Sequence, residues 1–454
     1  MNERLPLKTK LFYGAGDLGF SLTSTIIGAY FAIFLTDVVG IAPRVAAAAI
    51  FIGRTWDYFN DPLFGHLTDR TRTRWGRRRP FLLFGAIPFA LIFLLMWYRP
   101  PFQSDLGLVI YYAFIFVLYD AAATLIYMPY FALTPELTSD YDERTSLTSI
   151  RAFFSIVGSL IAFTVPLMIV GGFSPDHAPR VLLMGVIFAV ISALPLWVVF
   201  FGTRERQEYM TQKQPGLKQS LLASWGNKPF VFGLVIFLFT WVSVDILQAI
   251  LLFFIKYVVR MEAYSDLIMG TIFIVAIIAI PVWTWASRRW NKRKAYIAGI
   301  AFWAVVQLFL GSLAPSTPLS IILFMCVLAG IGVSAAHVLP WSMIPDAIEW
   351  GEWHTGERHE GMFYSLITLA QKIASSVAVP LALLVMDATG YVPNMASQSS
   401  RAVQGIRLVI GPIPAVLLCL GIVFALLYPL GRERYTQIAA DLAIRRATQK
   451  ERIP

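Results

Sequence analysis

Long apolar stretches alternate with short polar segments along the whole chain. Twelve such stretches cover approximately 11–36, 44–67, 80–98, 108–133, 148–172, 180–202, 229–256, 264–287, 293–314, 318–344, 361–388 and 406–430. A helix needs about 20 apolar residues to cross the hydrocarbon core of a bilayer, and it satisfies its own backbone groups in lipid. The pattern therefore predicts an all-α membrane protein with twelve transmembrane helices.

Composition supports a membrane protein and excludes several other classes. Of the 454 residues, 57% are apolar and 14% are charged, whereas soluble domains are about one quarter charged. This excludes an ordinary soluble enzyme, a disordered chain and a secreted disulfide scaffold. Cys326 and Cys419 lie far apart within apolar stretches, which predicts neither a disulfide nor a metal site. The sequence has no nucleophile elbow or phosphate-binding loop, so we expect no enzyme, no ATP-driven pump and no cofactor.

The net charge of +10 follows the predicted topology. With a cytoplasmic N-terminus, the segments facing the cytoplasm carry 27 of the 37 lysines and arginines. Such an excess on the cytoplasmic side sets the orientation of membrane proteins. We therefore expect both termini in the cytoplasm and a multi-pass protein of the cell's inner or plasma membrane. The lipid bilayer accounts for the basic composition, so no nucleic-acid partner is expected.

The polar stretch 203–228 divides the predicted spans into two sets of six. This predicts an N-terminal half over 1–202, a cytoplasmic middle loop over 203–228, a C-terminal half over 229–430 and a cytoplasmic tail over 431–454. The basic loop GHLTDRTRTRWGRRRP after the second span has a weaker counterpart, ASRRWNKRKAY, after the eighth. A repeated half with a basic loop after its second helix is typical of secondary transporters built from parallel repeats.

Two acids in the second span form the strongest candidate site. Asp57 and Asp61 are four residues apart and so share one helical face, with Asn60 beside them. Two carboxylates at this spacing in a membrane repel each other unless one binds a cation, takes a proton or pairs with a base. Arg54 could neutralise one of them. Carboxylate and amide oxygens suit a hard cation, so we predict a Na⁺ or H⁺ site at Asp57 and Asp61.

Further polar side chains lie within other spans. They are Asp17 and Ser21 in the first span, Asp120, Thr124 and Tyr127 in the fourth, Arg151 in the fifth and Lys372 in the eleventh. Charged side chains at this depth avoid lipid and mark partners or substrate paths. Bonding between helices explains residues such as Asp17 about as well as contact with a substrate.

Several longer motifs together resemble one transporter family. They are YGAGDLG and FLTDVVG, then GRTWDYFNDPLFGHLTDRTRTRWGRRRPFLLFG, then YMPYFALTPELTSDYDERTSL and IRAFF, and finally PDAIEWGEWHTGERHEGMFYS, LAQK and GYVPN. In register from residue 13 to residue 395, they resemble the melibiose permease-like glycoside–pentoside–hexuronide:cation symporter family of the major facilitator superfamily. The resemblance implies the twelve-helix major facilitator fold and a small-molecule substrate.

The resemblance implies a cation site formed by Asp57, Asn60, Asp61 and Thr124. It also implies that Arg151 and Lys372 lie at the substrate cavity and its charge network, and that His337 and Thr368 lie near the cavity wall. Where melibiose permease-like members hold a galactoside with two aspartates, this chain has Ser21 and Tyr127. Both positions are included among the expected substrate-binding residues.

Because Ser21 and Tyr127 stand where those aspartates would be, the sequence does not identify the substrate. One hypothesis is that Asp17 and Asp120, on the same helix faces, supply the missing carboxylates. Without them, the cationic pair Arg151 and Lys372 would favour an anionic substrate such as a uronide or a sulfonated sugar. Distant members of the resembled family carry lysolipids, so an amphiphile is a further alternative.

These observations predict a monomeric secondary transporter that works by alternating access. Cation-coupled symport of a sugar or glycoside is the first hypothesis, and symport of a non-sugar organic solute or lysolipid is the second. A membrane-embedded enzyme or sensor is the third, but the sequence offers no reactive constellation for it. We also expect a cytoplasmic gate formed by Asp69, Arg70, Arg77 and Arg78, although topology alone would explain basic residues there.

Overall fold

The described part of the chain folds into helices. A computed structural model describes residues 5–56, 58, 60, 64, 67, 68, 71–138, 141–204, 226–356 and 360–451. Within these ranges the helices are α1 (Leu7–Ile33), α2 (Pro43–Thr55), α3 (Arg79–Met96), α4 (Asp105–Leu137), α5 (Tyr141–Val170), α6 (Ala178–Gly202), α7 (Lys228–Phe253), α8 (Ser265–Trp290), α9 (Lys292–Ser312), α10 (Leu319–Thr355), α11 (Glu360–Ala388), α12 (Ser400–Ile410), α13 (Pro412–Leu427) and α14 (Arg432–Glu451).

The all-α prediction is confirmed, and eleven segments of the described chain are long and apolar enough to cross a membrane. The predicted second span, 44–67, is described only in part. Helix α2 ends at Thr55, and beyond it the structure describes Trp56, Tyr58, Asn60 and a few further single residues. The twelfth span and the cytoplasmic position of both termini therefore stay predictions.

Helix bounds follow the apolar pattern closely, with two informative differences. Helix α10 was expected to end near residue 344 but continues to Thr355, because a helix does not stop where its sequence becomes polar. The last predicted span, 406–430, is two helices that meet at Gly411. Pro412 begins α13 and has no backbone N–H, so it cannot continue the hydrogen-bond ladder of α12.

The chain divides into two compact units. The first contains Met1–Gln212, Gln248–Gly270 and Val379–Ile406, and the second contains Lys213–Leu247, Thr271–Ala378 and Arg407–Pro454. In the first unit, α1 packs on α5 and α6, and α3 packs on α4 and α6. In the second unit, α9 packs on α10 and α13, and α10 also contacts α14. The sequence-based halves 1–202 and 229–430 stay a prediction, and residues 205–225 of the middle loop lie outside the described ranges.

The ends of α1 and α7 share a local structure that points to an internal repeat. A π-helical turn follows each helix, Phe34–Val39 after α1 and Phe254–Val258 after α7. The sequences FLTDVVG and FIKYVVR align over these turns, and each ends at a residue with positive φ: Gly40 at 90° and Arg260 at 56°. Such turns are rare and frequently occur at functional sites.

Candidate functional site

An ion pair between α1 and α5 lies at the centre of the candidate site. The Nε of Arg151 donates to Oδ2 of Asp17 at 2.8 Å, and its NH2 group lies 3.5 Å from Oδ1. The Asp17 side chain is 8% exposed and the Arg151 side chain is 20% exposed. A charge this far from water needs a partner. The structure thus shows the bonding between helices that the sequence offered for Asp17, and its contact with a substrate stays a prediction.

Aromatic rings surround the guanidinium of Arg151. Its Cζ lies 4.6 Å from the ring centre of Phe131, 5.4 Å from that of Tyr130 and 6.0 Å from that of Tyr13. These distances are within the range of cation–π attraction. Tyr13 and Tyr130 each donate a hydroxyl hydrogen bond to the other's backbone carbonyl, at 3.2 and 2.8 Å. This reciprocal pair holds both rings and thereby the position of Arg151.

Ser21 and Tyr127, which the motif resemblance places at the positions of two family aspartates, lie in helix packing. Ser21 is 4% exposed, and its hydroxyl donates to the carbonyl of Leu18 on its own helix at 3.1 Å. Tyr127 is 2% exposed, and its ring centre lies 4.7 Å from that of Phe20. Within the described part of the chain, the Tyr127 hydroxyl has no hydrogen-bond partner. Their predicted contact with a substrate stays a prediction.

The predicted cation site is described only in part, because Asp57 and Asp61 lie outside the described residues. Asn60 is fully buried, and among the described residues neither atom of its side-chain amide has a hydrogen-bond partner. Asp120 and Thr124 on α4 are half-buried, and each has a polar or electrostatic partner. Carboxylate, amide and hydroxyl oxygens are ligands that a hard cation accepts.

The remaining expected cavity residues belong to the second unit. His337 is exposed, its Nδ1 lies 2.9 Å from the Val333 carbonyl, and its ring centre lies 5.3 Å from that of Trp241. Thr368 is also exposed and donates to the carbonyl of Tyr364 at 3.0 Å. Lys372 is half-buried and has a partner. Their role in substrate binding stays a prediction.

The expected cytoplasmic gate is also incompletely described, since Asp69 and Arg70 lie outside the described residues. Arg78 is buried and donates to the hydroxyl of Thr68 at 3.2 Å. Arg77 is half-buried and has a polar or electrostatic partner. The gate remains a prediction.

Sequence reasoning missed a buried acid at the end of α1. Asp37 has no exposed surface, and Oδ2 of its carboxylate lies 2.6 Å from Nζ of Lys256 and 2.5 Å from the hydroxyl of Tyr257. Its Oδ1 lies 2.5 Å from the hydroxyl of Tyr391. The sequence did contain signs of this cluster. Lys256 is a charged residue within a predicted span, and the motifs FLTDVVG and GYVPN contain Asp37 and Tyr391.

The Tyr391 phenol is held in its neutral form by this setting. Tyr391 lies between α11 and α12, outside the spanning segments. Burial raises its pKa well above the ordinary value, and the negative charge of Asp37 raises it further. The hydroxyl therefore remains a hydrogen-bond donor throughout the physiological pH range.

Comparisons with known proteins agree with the motif resemblance. A family model described as MFS/sugar transport protein matches residues 12–432. The chain is 32% identical to an uncharacterized symporter of Synechocystis, over 98% of each chain. It is 29% identical to a sodium-dependent lysophosphatidylcholine symporter of Danio rerio, over 98% of this chain and 90% of that one. It is also 29% identical to the isoprimeverose transporter of Lactiplantibacillus pentosus, over 98% and 93% respectively.

A solved structure shows the same fold. The crystal structure of a D-xylose–proton symporter matches 93% of this chain and 97% of that chain, with a TM-score of 0.67 and 17% identity. At this identity the likeness establishes the fold alone. The matched family is one of transporters, in line with the expectation that the chain is not an enzyme. The chain therefore belongs to the MFS/sugar transport protein family, within the major facilitator superfamily, and is a multi-pass membrane protein.

Proposed function

We propose that this chain is a cation-coupled symporter that carries a sugar or glycoside by alternating access. Relatives that match nearly its whole length are symporters, and one is an isoprimeverose transporter. The proposal of a sugar or glycoside as substrate rests on the Asp17–Arg151 pair, which lies among the rings of Tyr13, Tyr130 and Phe131.

The pairing favours a neutral solute over an anionic one. The charge of Arg151 is balanced by Asp17 at 2.8 Å, so the site offers less attraction to an anion than a lone arginine would. A guanidinium has five N–H donors, and the Asp17 contacts use only part of this capacity. With 20% of its side chain exposed, Arg151 can donate to hydroxyl groups. Of the neighbouring rings, that of Phe131 is exposed, and its face suits the apolar face of a sugar ring.

The coupling cation is proposed to bind at Asp57, Asn60, Asp61 and Thr124. Asn60 supports this proposal, because an amide buried without a partner among the described residues loses its hydrogen bonds to water. Ligation of a cation by its oxygen would offset part of that loss. A cation would also relieve the repulsion between two carboxylates that are four residues apart in the sequence. Relatives named as sodium-dependent support Na⁺, and H⁺ is the alternative.

In the proposed cycle the cation binds first and prepares the site for the solute. Coupling is reciprocal, so the cation raises the affinity for the solute by the same factor by which the solute raises the affinity for the cation. The lysophosphatidylcholine symporters among the relatives make an amphiphile the second candidate substrate.

Flux into proteoliposomes tests the proposal. The purified protein is given neutral glycosides, uronides or lysophosphatidylcholine, each with an inward Na⁺ gradient, an inward H⁺ gradient or neither. We expect gradient-driven uptake of a neutral glycoside that is lost in Asp61→Asn and in Asp17→Asn. Asp387→Asn is the matched control, because it removes an acid from a longer and more exposed contact with Arg44, at 3.9 Å.

Each alternative outcome has a distinct meaning. Uptake of a uronide alone would overturn the neutral-solute proposal, and uptake of lysophosphatidylcholine alone would establish the second candidate. If Asp17→Asn transports the native glycoside as well as the unchanged chain, the ion pair is not part of the substrate site.

A further inference from the structure

The geometry points to a latch at the predicted outer end of the first unit, formed around Asp37 by Thr36, Lys256, Tyr257, Tyr391 and Asn394. These residues come from three separate parts of the chain. Thr36 and Asp37 follow α1, Lys256 and Tyr257 follow α7, and Tyr391 and Asn394 follow α11. No role was assigned to any of them above. We infer that this Asp37 latch holds the outer ends of the three helices together and opens once in each transport cycle.

The carboxylate of Asp37 is fully occupied by donors. Oδ2 accepts from the Lys256 ammonium at 2.6 Å and the Tyr257 hydroxyl at 2.5 Å. Oδ1 accepts from the Tyr391 hydroxyl at 2.5 Å and the Thr36 hydroxyl at 3.0 Å. A carboxylate has about four acceptor sites, so this acid is satisfied with no help from water.

Backbone contacts extend the same junction. The side-chain amide of Asn394 donates to the backbone carbonyl of Asp37 at 2.6 Å. The Lys256 ammonium also donates to the backbone carbonyl of Phe173, in the connection after α5. Asn394 has a φ of 59°, in the left-handed region that asparagine tolerates better than most residues. The connection after α11 is therefore shaped to bring its amide to Asp37.

The local backbone shows why these side chains converge. Asp37 and Lys256 both lie within π-helical turns, over Phe34–Val39 and Phe254–Val258. A π turn shifts the direction of the side chains that follow it relative to a regular α-helix, and such turns occur frequently at functional sites. The two aligned segments thus supply opposite charges, Asp37 from one and Lys256 from the other.

The division of the chain into units suggests what the latch controls. Helix α7 belongs to the second unit up to Leu247 and to the first from Gln248 onward. Helix α11 likewise changes units between Ala378 and Val379. The latch thus holds, within the first unit, the outer ends of two helices that begin in the second. Once it opens, those ends are free to leave α1.

Asp37 acts here as a positioning residue, since it contacts no substrate in the proposed site. The inference rests on the proposed transport cycle only for the statement that the latch opens during each cycle. Its test uses no substrate, so a failed flux assay and a failed latch test have separate meanings.

Accessibility from each side of the membrane tests the latch with one probe. Ser24 is exposed on α1, one helical turn before Gly28, where an added Cβ would lie 2.5 Å from the Gln248 amide nitrogen. The probe is Ser24→Cys in a Cys419→Ser background, since Cys419 is exposed and Cys326 is buried. A membrane-impermeant maleimide is applied to right-side-out and to inside-out vesicles, and the labelling rate is measured on each side.

With the latch intact, we expect faster labelling from the inside than from the outside. Asp37→Asn leaves the Lys256 charge without its partner, and we expect outside labelling to rise about tenfold or more while inside labelling falls. Opposite changes on the two sides are the signature of a gate, because general unfolding would raise both rates. The latch would be overturned if Asp37→Asn raised both labelling rates equally or left both unchanged. It would also be overturned if the protein with Asp37 intact were labelled faster from the outside than from the inside.

Two further variants keep the test decisive. Glu143→Gln breaks the Lys10–Glu143 pair, which is 2.8 Å long and has side chains 13% and 12% exposed. That pair lies near the start of α1 instead of its end, so its loss should not raise outside labelling. If Asp37→Asn does not fold, Tyr391→Phe is used instead, because it removes a single donor to Asp37. We expect it to raise outside labelling and to lower inside labelling, each by a few fold. Unchanged rates in a folded Tyr391→Phe would then overturn the latch.

Discussion

Charged side chains with little exposed surface are paired between segments that are far apart in the sequence. Among the described residues, such pairs are Lys10–Glu143 at 2.8 Å, Asp17–Arg151 at 2.8 Å and Asp37–Lys256 at 2.6 Å. Removing one partner of a buried pair costs more than the pair contributes, because the other charge is left without compensation. Each pair therefore favours the one helix arrangement in which its two side chains are in contact.

The Asp17–Arg151 pair should show strong coupling in stability. We expect Asp17→Asn to lower the free energy of unfolding by about 3–5 kcal/mol, since it leaves the guanidinium in a poorly hydrated place. Arg151→Gln should cost a similar amount, and the double variant should cost clearly less than the sum. Equilibrium unfolding in mixed micelles measures all three. Additive losses would show that the two side chains do not stabilise each other.

Tyr391 should contribute a hydrogen bond over a wide pH range. Tyr391→Phe should lower the free energy of unfolding by about 1.5–3 kcal/mol, the typical contribution of a hydrogen bond to a charged group. Because burial and Asp37 raise the pKa of Tyr391 in the folded protein, its contribution is fully present below the ordinary tyrosine value. It is lost only as pH rises above that value toward the raised one.

The difference in unfolding free energy between the unchanged chain and Tyr391→Phe, measured from neutral pH to well above the ordinary tyrosine pKa of about 10, tests this directly. We expect the difference to stay constant below that pKa and to shrink above it. A difference that stays constant above that pKa, or that shrinks already below it, would contradict the raised pKa.

At the residue scale, sequence predicted which charges lie in the membrane but not their partners. Asp17 and Arg151 were both recognised as intramembrane charges, but their contact depends on the rotation of α1 against α5. Spacing within one helix does not determine that rotation. The Asp37–Lys256 pair was also missed, because the two residues are 219 positions apart and spacing within one helix says nothing about contacts between helices.

At the scale of the elements, the aligned turns after α1 and α7 allow a matched test of backbone conformation at helix ends. Gly40 has a φ of 90° and Arg260 has a φ of 56°, and only glycine adopts this region without steric cost. We expect Gly40→Ala to destabilise the protein by about 1 kcal/mol or more, and Arg260→Gly to stabilise it by about 0.5–1 kcal/mol. Thermal unfolding of both variants checks the opposite signs. A stabilising Gly40→Ala would contradict the aligned structure of the two turns.

Close packing of α1 on α5 depends on a glycine. An added Cβ at Gly158 would overlap the hydroxyl oxygen of Ser21, so we expect Gly158→Ala to cost about 1–3 kcal/mol. Adding Ser21→Ala should recover part of that loss. Gly233→Ala on α7 is the control, because its nearest neighbour would be the Ile344 Cδ1 at 3.8 Å. Equal effects at Gly158 and Gly233 would contradict the packing, and unfolding in mixed micelles compares them.

Element positions were predictable because lipid allows few alternatives to a helix. Predicted span 80–98 corresponds to α3 at Arg79–Met96, and predicted span 293–314 corresponds to α9 at Lys292–Ser312. The extension of α10 to Thr355 was not predictable from hydropathy, since the added turns are polar. The break at Gly411 was predictable in principle from the proline that follows it.

On the scale of the whole molecule, the motifs identified the family, and the backbone adds a second sign of an internal repeat. The basic loops after the second and eighth predicted spans suggested two related halves. The aligned π turns after α1 and α7 are a more specific sign of repetition, with equivalent hydrogen bonds from Ile41 to Leu35 at 3.2 Å and from Met261 to Ile255 at 3.0 Å. Hydropathy could not show this, because a π turn leaves the apolar pattern almost unchanged.

In the proposed mechanism a neutral sugar binds at the Asp17–Arg151 pair, and its binding is coupled to that of a cation. Isothermal titration of the transported glycoside, with and without the coupling cation, tests it most directly. We expect the cation to raise glycoside affinity by about 5–150-fold, and Asp17→Asn to lose glycoside binding while still binding the cation. Glycoside affinity that is independent of the cation, or unchanged in Asp17→Asn, would contradict this mechanism.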